Sequence, residues 1–203
     1  MKINWLKRTA IAMLYIPTAL MAQDEDKPLP APVPRVYLGG GTGCNDFGIM
    51  GIGAEFPVSR KLQGYFDLGV GGWGSKVGAG GTYYFDFINK GSSMSAGISS
   101  ASGIENMNTG IVDESNVNKD SVFINAKPLY TLNIKYAYSF PLGRSHRNKF
   151  QLSYGYSIPL STDNYEIISP GTKENDDIKR RIKILEPGGL ILGAKIMFGI
   201  GNK

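Results

Sequence analysis

The chain has 203 residues, a formal net charge of +5 and 27 glycines, with His146 and Cys44 the only residues of their kinds. One histidine and one cysteine exclude a disulfide framework and a transition-metal site of the usual His/Cys type, so no cofactor is expected.

Lys2, Lys7 and Arg8 precede the apolar run Thr9 to Leu20, and Ala22 then precedes Gln23, Asp24, Glu25 and Asp26. That order reads as a secretory signal peptide over residues 1–22, cut after Ala22. The apolar run is too short to span a bilayer as a helix, and Pro17 interrupts it. Gln23 stands where a lipoprotein would have cysteine. Cleavage removes three basic residues and no acidic one, leaving 19 − 17 = +2. No dense Lys/Arg stripe remains, which argues against nucleic acid as a partner.

Residues 23–34 form a spacer whose alternating prolines, from Lys27-Pro28-Leu29-Pro30 to Pro34, keep the backbone extended and solvated. From Arg35 onward the apolar residues recur with a period of two, the mark of strands with one apolar and one polar face. The predicted strands are Arg35 to Gly41, Phe47 to Phe56, Leu62 to Gly72, Val77 to Phe87, Ser92 to Gly103, Tyr130 to Phe140, Phe150 to Leu160 and Leu190 to Ile200. The seventh is the clearest: Phe150, Leu152, Tyr154, Tyr156, Ile158 and Leu160 alternate with Gln151, Ser153, Gly155, Ser157 and Pro159.

Most of these segments have the length a tilted strand needs to cross an apolar layer. The expected fold is therefore all-β, a single antiparallel up-and-down transmembrane barrel over residues 35–203. An even count of eight returns both termini to one side and leaves no unpaired edge in hydrocarbon. The links after the second, fourth and sixth strands are short, whereas Ile104 to Lys127 and Ser161 to Gly189 are long and polar. That asymmetry matches barrels whose long loops face outward. Glu166 to Ile168 and Ile178 to Leu185 also alternate, which predicts either a hairpin above the barrel or a ten-stranded wall. Gly39 to Gly43 reads as a strand end and turn, since no lysine and no helical pattern follow to make a phosphate cradle. Cys44 reads as a small loop residue.

If the polar faces turn inward, the lumen receives Arg35, Glu55, Asp67, Asp86, Lys135 and Lys195, three charges of each sign. In a cylinder of eight strands such residues are expected to pair and fill the interior. The expected lipid-facing aromatics are Phe56, Tyr83, Phe140, Tyr154, Tyr156 and Phe198, placed for interfacial girdles.

With these alternating strands and the loop asymmetry, nearly the whole mature chain resembles the small outer-membrane β-barrel proteins of Gram-negative bacteria, the group that includes the OmpA transmembrane domain and OmpX. The likeness is one of pattern. Phe198, followed by five residues, stands where many such proteins end on an aromatic. The resemblance implies a porin-like fold in the outer membrane, with lipid or lipopolysaccharide and the barrel insertion machinery as partners, and an extracellular ligand or envelope component at the loops.

Catalytic residues are not expected. His146 adjoins Ser145, but both fall in the predicted turn Gly143 to Lys149 on the short-link side, the wrong side for chemistry on outer-leaflet lipid A. The acids Asp113, Glu114, Asp120, Glu174, Asp176 and Asp177 fit no calcium-loop spacing. The sequence thus points to a non-enzymatic surface or structural barrel. Two alternatives stand beside it: a soluble exported barrel around a hydrophobic ligand, and a lipid A-modifying enzyme.

Overall fold

The computed structural model describes residues 34–86, 88, 90–112, 121–143, 146–169 and 176–201. The signal peptide, nearly all of the proline spacer, Ser145 and the acids Asp113, Glu114, Asp120 and Glu174 lie outside the described residues.

The chain is all-β, with strands β1 (Val36–Cys44), β2 (Gly48–Pro57), β3 (Leu62–Gly71), β4 (Gly74–Tyr84), β5 (Gly91–Ala101), β6 (Ile104–Val112), β7 (Ser121–Ala126), β8 (Leu129–Leu142), β9 (Asn148–Pro159), β10 (Tyr165–Ile167) and β11 (Gly189–Ile200). One helix, α1 (Asp176–Leu185), lies between β10 and β11. Eight strands close into an antiparallel cylinder in the order β1-β11-β9-β8-β5-β4-β3-β2. These are the eight strands the alternation predicts. The seam pairs Val36 with Ile200 through to Cys44 with Leu192. Closure leaves no row of unpaired N–H and C=O groups along an edge.

Each wall strand turns its apolar set outward and its polar set inward. On β11, Leu190, Leu192, Ile196, Phe198 and Ile200 are exposed while Lys195 and Met197 are buried. On β3, Leu62, Phe66, Leu68 and Val70 are exposed while Gln63, Tyr65 and Asp67 are buried.

The two rims differ. At one, the links are short: residues 58–61, 85–90 and 143–147. At the other, the two long connections build a cap in place of bare loops. There β10, β7 and β6 form a three-stranded sheet, and α1 packs against it. Val122, Ile124, Ala126, Ile178 and Ile182 bury one apolar core with Trp73, Ala101 and Leu129 of the barrel rim. The Trp73 indole N–H donates to the Lys127 carbonyl at 3.0 Å, fixing the cap to the β3–β4 link.

Four expectations are corrected. The ten-stranded wall and the projecting hairpin fail because Ile178 to Leu185 is helical and Tyr165–Ile167 pairs with β7. Ile178, Ile182 and Leu185 also recur at helical spacing, and burying Ile178 and Ile182 in the cap selects that period. The Gly39 to Gly43 run is not a turn but the middle of β1, paired on both sides, with Cys44 its exposed last residue. The fourth wall strand starts three residues earlier than its alternation predicts and stops at Tyr84, so Asp86 falls in an exposed turn. Arg35 precedes β1 and is exposed at the short-link rim, its N–H donating to the Ile200 carbonyl at 3.0 Å.

Candidate functional site: an ion-filled lumen

The inward faces bring together charges from six segments of the wall. Glu55 on β2 is fully buried, and its Oε1 lies 2.5 Å from the Lys195 Nζ of β11. Its Oε2 lies 2.6 Å from Lys149 Nζ of β9, and both of these side chains are 0% exposed. The Lys149 ammonium also donates to Tyr84 Oη at 2.7 Å and to the Ile88 carbonyl at 3.2 Å. It sits over the rings of Tyr37 and Tyr84, 4.4 and 5.0 Å from their centroids. A charge removed from water needs this density of partners, because an ammonium left bare in a low-dielectric interior costs several kcal/mol, on the order of what folding yields in total. Below it, Tyr37, Tyr84, Met197 and Ile88 of the β4–β5 link form an apolar floor that closes the short-link end.

Nearer the cap, the β1–β2 turn folds into the cylinder. Asn45 takes a left-handed conformation (φ 56°), and Gly48 (φ 79°) follows at an irregular pairing with β3. The first is tolerated by asparagine and the second favours glycine. Asp46 consequently points inward. Its Oδ1 meets Lys135 Nζ at 2.7 Å, and Ser153 donates to its Oδ2 at 3.0 Å. Burial alone would raise the Asp46 pKa, but Lys135 and Lys195 outweigh it and hold the carboxyl below its usual range. Lys76 donates to the Asn45 carbonyl at 2.5 Å. The Asn45 amide bonds the Gly188 and Leu190 carbonyls at 2.6 and 3.0 Å, tying the turn to the start of β11.

Room for this turn comes from glycine on the inward faces. A Cβ at Gly51 would lie 2.9 Å from Phe47 Cδ1, and one at Gly53 would lie 3.2 Å from Phe47 Cε1. Tyr65 likewise lies over bare backbone, since a Cβ at Gly80 would be 2.6 Å from its Oη. These glycines make way for specific side chains. Beside them lies a cavity of about 10 Å³ lined by Asp46, Asp67, Lys76, Asn133 and Lys135 among others, room for about one water. Asp67, 7% exposed, presents there an Oδ1 with no hydrogen-bond partner.

Of the predicted lumen charges, Glu55, Asp67, Lys135 and Lys195 are inside and buried, whereas Arg35 and Asp86 are exposed at the rim. Sequence reasoning missed Lys149, Asp46 and Lys76. Lys149 was legible, because counting back by two from Gln151 puts it on the polar face. Asp46 left no periodic trace, being in a turn. The predicted lipid-facing aromatics Phe56, Tyr83, Phe140, Tyr154, Tyr156 and Phe198 all face outward, from 36% exposed at Tyr154 to 58% at Tyr156. Neighbouring rings stack along this surface, Phe140 with Tyr138 at 4.8 Å and with Phe150 at 6.1 Å. His146 is exposed in the β8–β9 turn (φ 49°) at the short-link rim.

No protein-family model, no curated protein and no solved structure matches the chain.

Proposed function

We propose that the chain is a non-enzymatic, integral outer-membrane β-barrel with an envelope-structural or surface-interaction role, its capped rim facing outward. One observation carries the reading: apolar side chains cover the outside of the cylinder and ionic ones fill it. Exposed Leu38, Ile52, Leu68, Ile98, Ile134, Leu152 and Ile196 come from different wall strands. A band of that extent far exceeds the few hundred Å² of contiguous apolar surface that water-soluble monomers tolerate. Hydrocarbon is the solvent that makes it favourable, and closure satisfies the backbone that hydrocarbon cannot.

A soluble ligand-binding barrel needs the opposite arrangement, an apolar lumen with free volume. Here the interior holds Glu55, Asp67, Lys135, Lys149 and Lys195. A lipid A-modifying site would require acid–base groups at the outward rim, and His146 lies at the other one. The partners that follow are membrane lipid and lipopolysaccharide around the wall, insertion machinery during assembly, and an extracellular component at the cap.

The test is twofold. The protein should stay in the membrane pellet after carbonate washing, and spin labels at Leu152 and Ile196 should relax with lipid-dissolved oxygen while one at Ser153 does not. Release by carbonate, or the reverse labelling pattern, would refute the reading.

A further inference from the structure

The two rims carry different charge. Among the described residues the short-link rim holds Arg35, Arg60, Lys61, Lys90 and Arg147 against the single acid Asp86. All but Arg147 are exposed. At the capped rim, Lys127, Lys179, Arg180, Arg181 and Lys183 stand against Glu105, Asp163, Glu166, Asp176, Asp177 and Glu186. Among the described residues the excess of cations therefore falls at one end of the cylinder, and it comes from separate links: residues 58–61, 85–90 and 143–147 and the stretch before β1.

These cations sit at the edge of the outward aromatic surface. Phe56 precedes the turn that carries Arg60 and Lys61 by one strand residue and is 50% exposed. Lys61 Nζ donates to the carbonyl of exposed Phe85 at 2.9 Å. One Arg147 nitrogen donates to the Gly201 carbonyl at 2.9 Å, just past Phe198 and Ile200. Aromatic rings seat at the boundary between acyl chains and headgroups, so the cations beside them stand at headgroup depth.

We propose that this rim is a binding surface for anionic glycerophospholipid headgroups, selecting them from the leaflet that surrounds the short-link end. The inference rests on the membrane reading above. A Lys or Arg at a membrane surface contributes about a fivefold preference for anionic lipid, and the effect is electrostatic, so it falls as salt shortens the screening length from about 10 Å at 0.1 M to about 3 Å at 1 M. The described residues of the capped rim carry no such excess.

The experiment uses the full chain, purified from membranes and reconstituted into vesicles of phosphatidylcholine with either spin-labelled phosphatidylglycerol or spin-labelled phosphatidylcholine as tracer. The ratio of the two motionally restricted fractions reads the preference. The wild type should favour phosphatidylglycerol by about fivefold or more. R60Q/K61Q/K90Q and high sodium chloride should each bring the ratio towards one, while K179Q/R180Q/K183Q at the capped rim leaves it unchanged. Circular dichroism checks that both variants retain their strands.

A wild-type ratio near one overturns the proposal, as does a ratio that survives R60Q/K61Q/K90Q or drops with the capped-rim variant. Inorganic phosphate at matched ionic strength should lower the ratio no more than chloride does; a larger drop assigns the rim to free phosphate and overturns the lipid assignment. Failure to enter either vesicle is a separate result, which defeats the membrane reading and this inference with it.

Discussion

Replacing Glu55 by glutamine separates the ionic lattice from simple packing. The substitution keeps shape and volume but removes the charge that Lys149 and Lys195 share at 2.6 and 2.5 Å. The two lysines are not equally exposed to the loss. Lys149 retains Tyr84 Oη, the Ile88 carbonyl and two ring faces. Lys195 retains the Phe47 ring at 5.7 Å and the more distant charges of Asp67 and Asp46, and the single glutamine carbonyl cannot serve both lysines as the carboxylate does. Breaking a buried ion pair from one side costs about 3–5 kcal/mol, because the cation left behind is desolvated and unpaired. Glu55→Gln should therefore lower the unfolding free energy by about that amount. Removing the cations as well tests the reason. Glu55→Gln with Lys149→Met and Lys195→Met replaces the triad by groups of similar length, and replacing a buried ion pair by uncharged groups of similar volume is often neutral or stabilising by about 1–4 kcal/mol. Urea unfolding in lipid vesicles, followed by strand circular dichroism, measures both. A cost below about 1 kcal/mol for the single substitution, or a triple variant less stable than the single one, would refute an interior organised by charge pairing.

Four further outcomes are expected. A Cβ at Gly193 would lie 2.5 Å from Asp46 Oδ2 and 2.7 Å from Ser153 Oγ; Gly193→Val should cost about 1–3 kcal/mol, and adding Asp46→Ala should recover part of it, so strict additivity in the urea midpoints would show that Asp46 is not seated there. Ile182 is fully buried in the cap; Ile182→Ala should weaken the cap by about 2–5 kcal/mol, raising amide exchange in β6 and β7 and not in β3 or β11, and equal gains in the wall would show that cap and barrel open together. Planar bilayers should record no stable ohmic channel from the purified protein, since paired ionic side chains and the inturned Asp46 and Phe47 occupy the interior; a large steady conductance would contradict a filled lumen. Because the Asp46 pKa is depressed in the folded state, its contribution is complete above the ordinary carboxylate value of about 4 and fades as pH falls through the lower folded value; wild type should lose stability on acidification that Asp46→Asn does not lose, and parallel curves would refute the Lys135 pairing.

The wall was legible because a half-exposed strand leaves a two-residue period, which is plain in most wall strands and faint in the glycine-rich β1 and the serine-rich β5. Boundaries were less so. Phe85, Asp86 and Phe87 continue the alternation of β4 past Tyr84, but the chain turns there to bring Ile88 beneath the barrel. Alternation records which face a residue takes and not where the ladder stops, so Asp86 was assigned to an interior it does not reach. The segment Ile178 to Leu185 fits two periods at once, and only the apolar core waiting at the rim decides between them. Within the lumen the strand-borne charges were recoverable by counting. The turn-borne Asp46 was not, because its direction is set by the left-handed Asn45 and by vacant space over Gly51 and Gly53, which are relations across strands.

The inward fold of Asn45 to Phe47 also makes the stopper part of the clasp. That segment is held by Lys135 from β8, by Ser153 from β9 and by the backbone just before and within β11. Gly188 and Leu190 can hold it only where the last strand lies against the first, so stopper and seam brace one another. A cut in this one connection would release both the contents and the clasp.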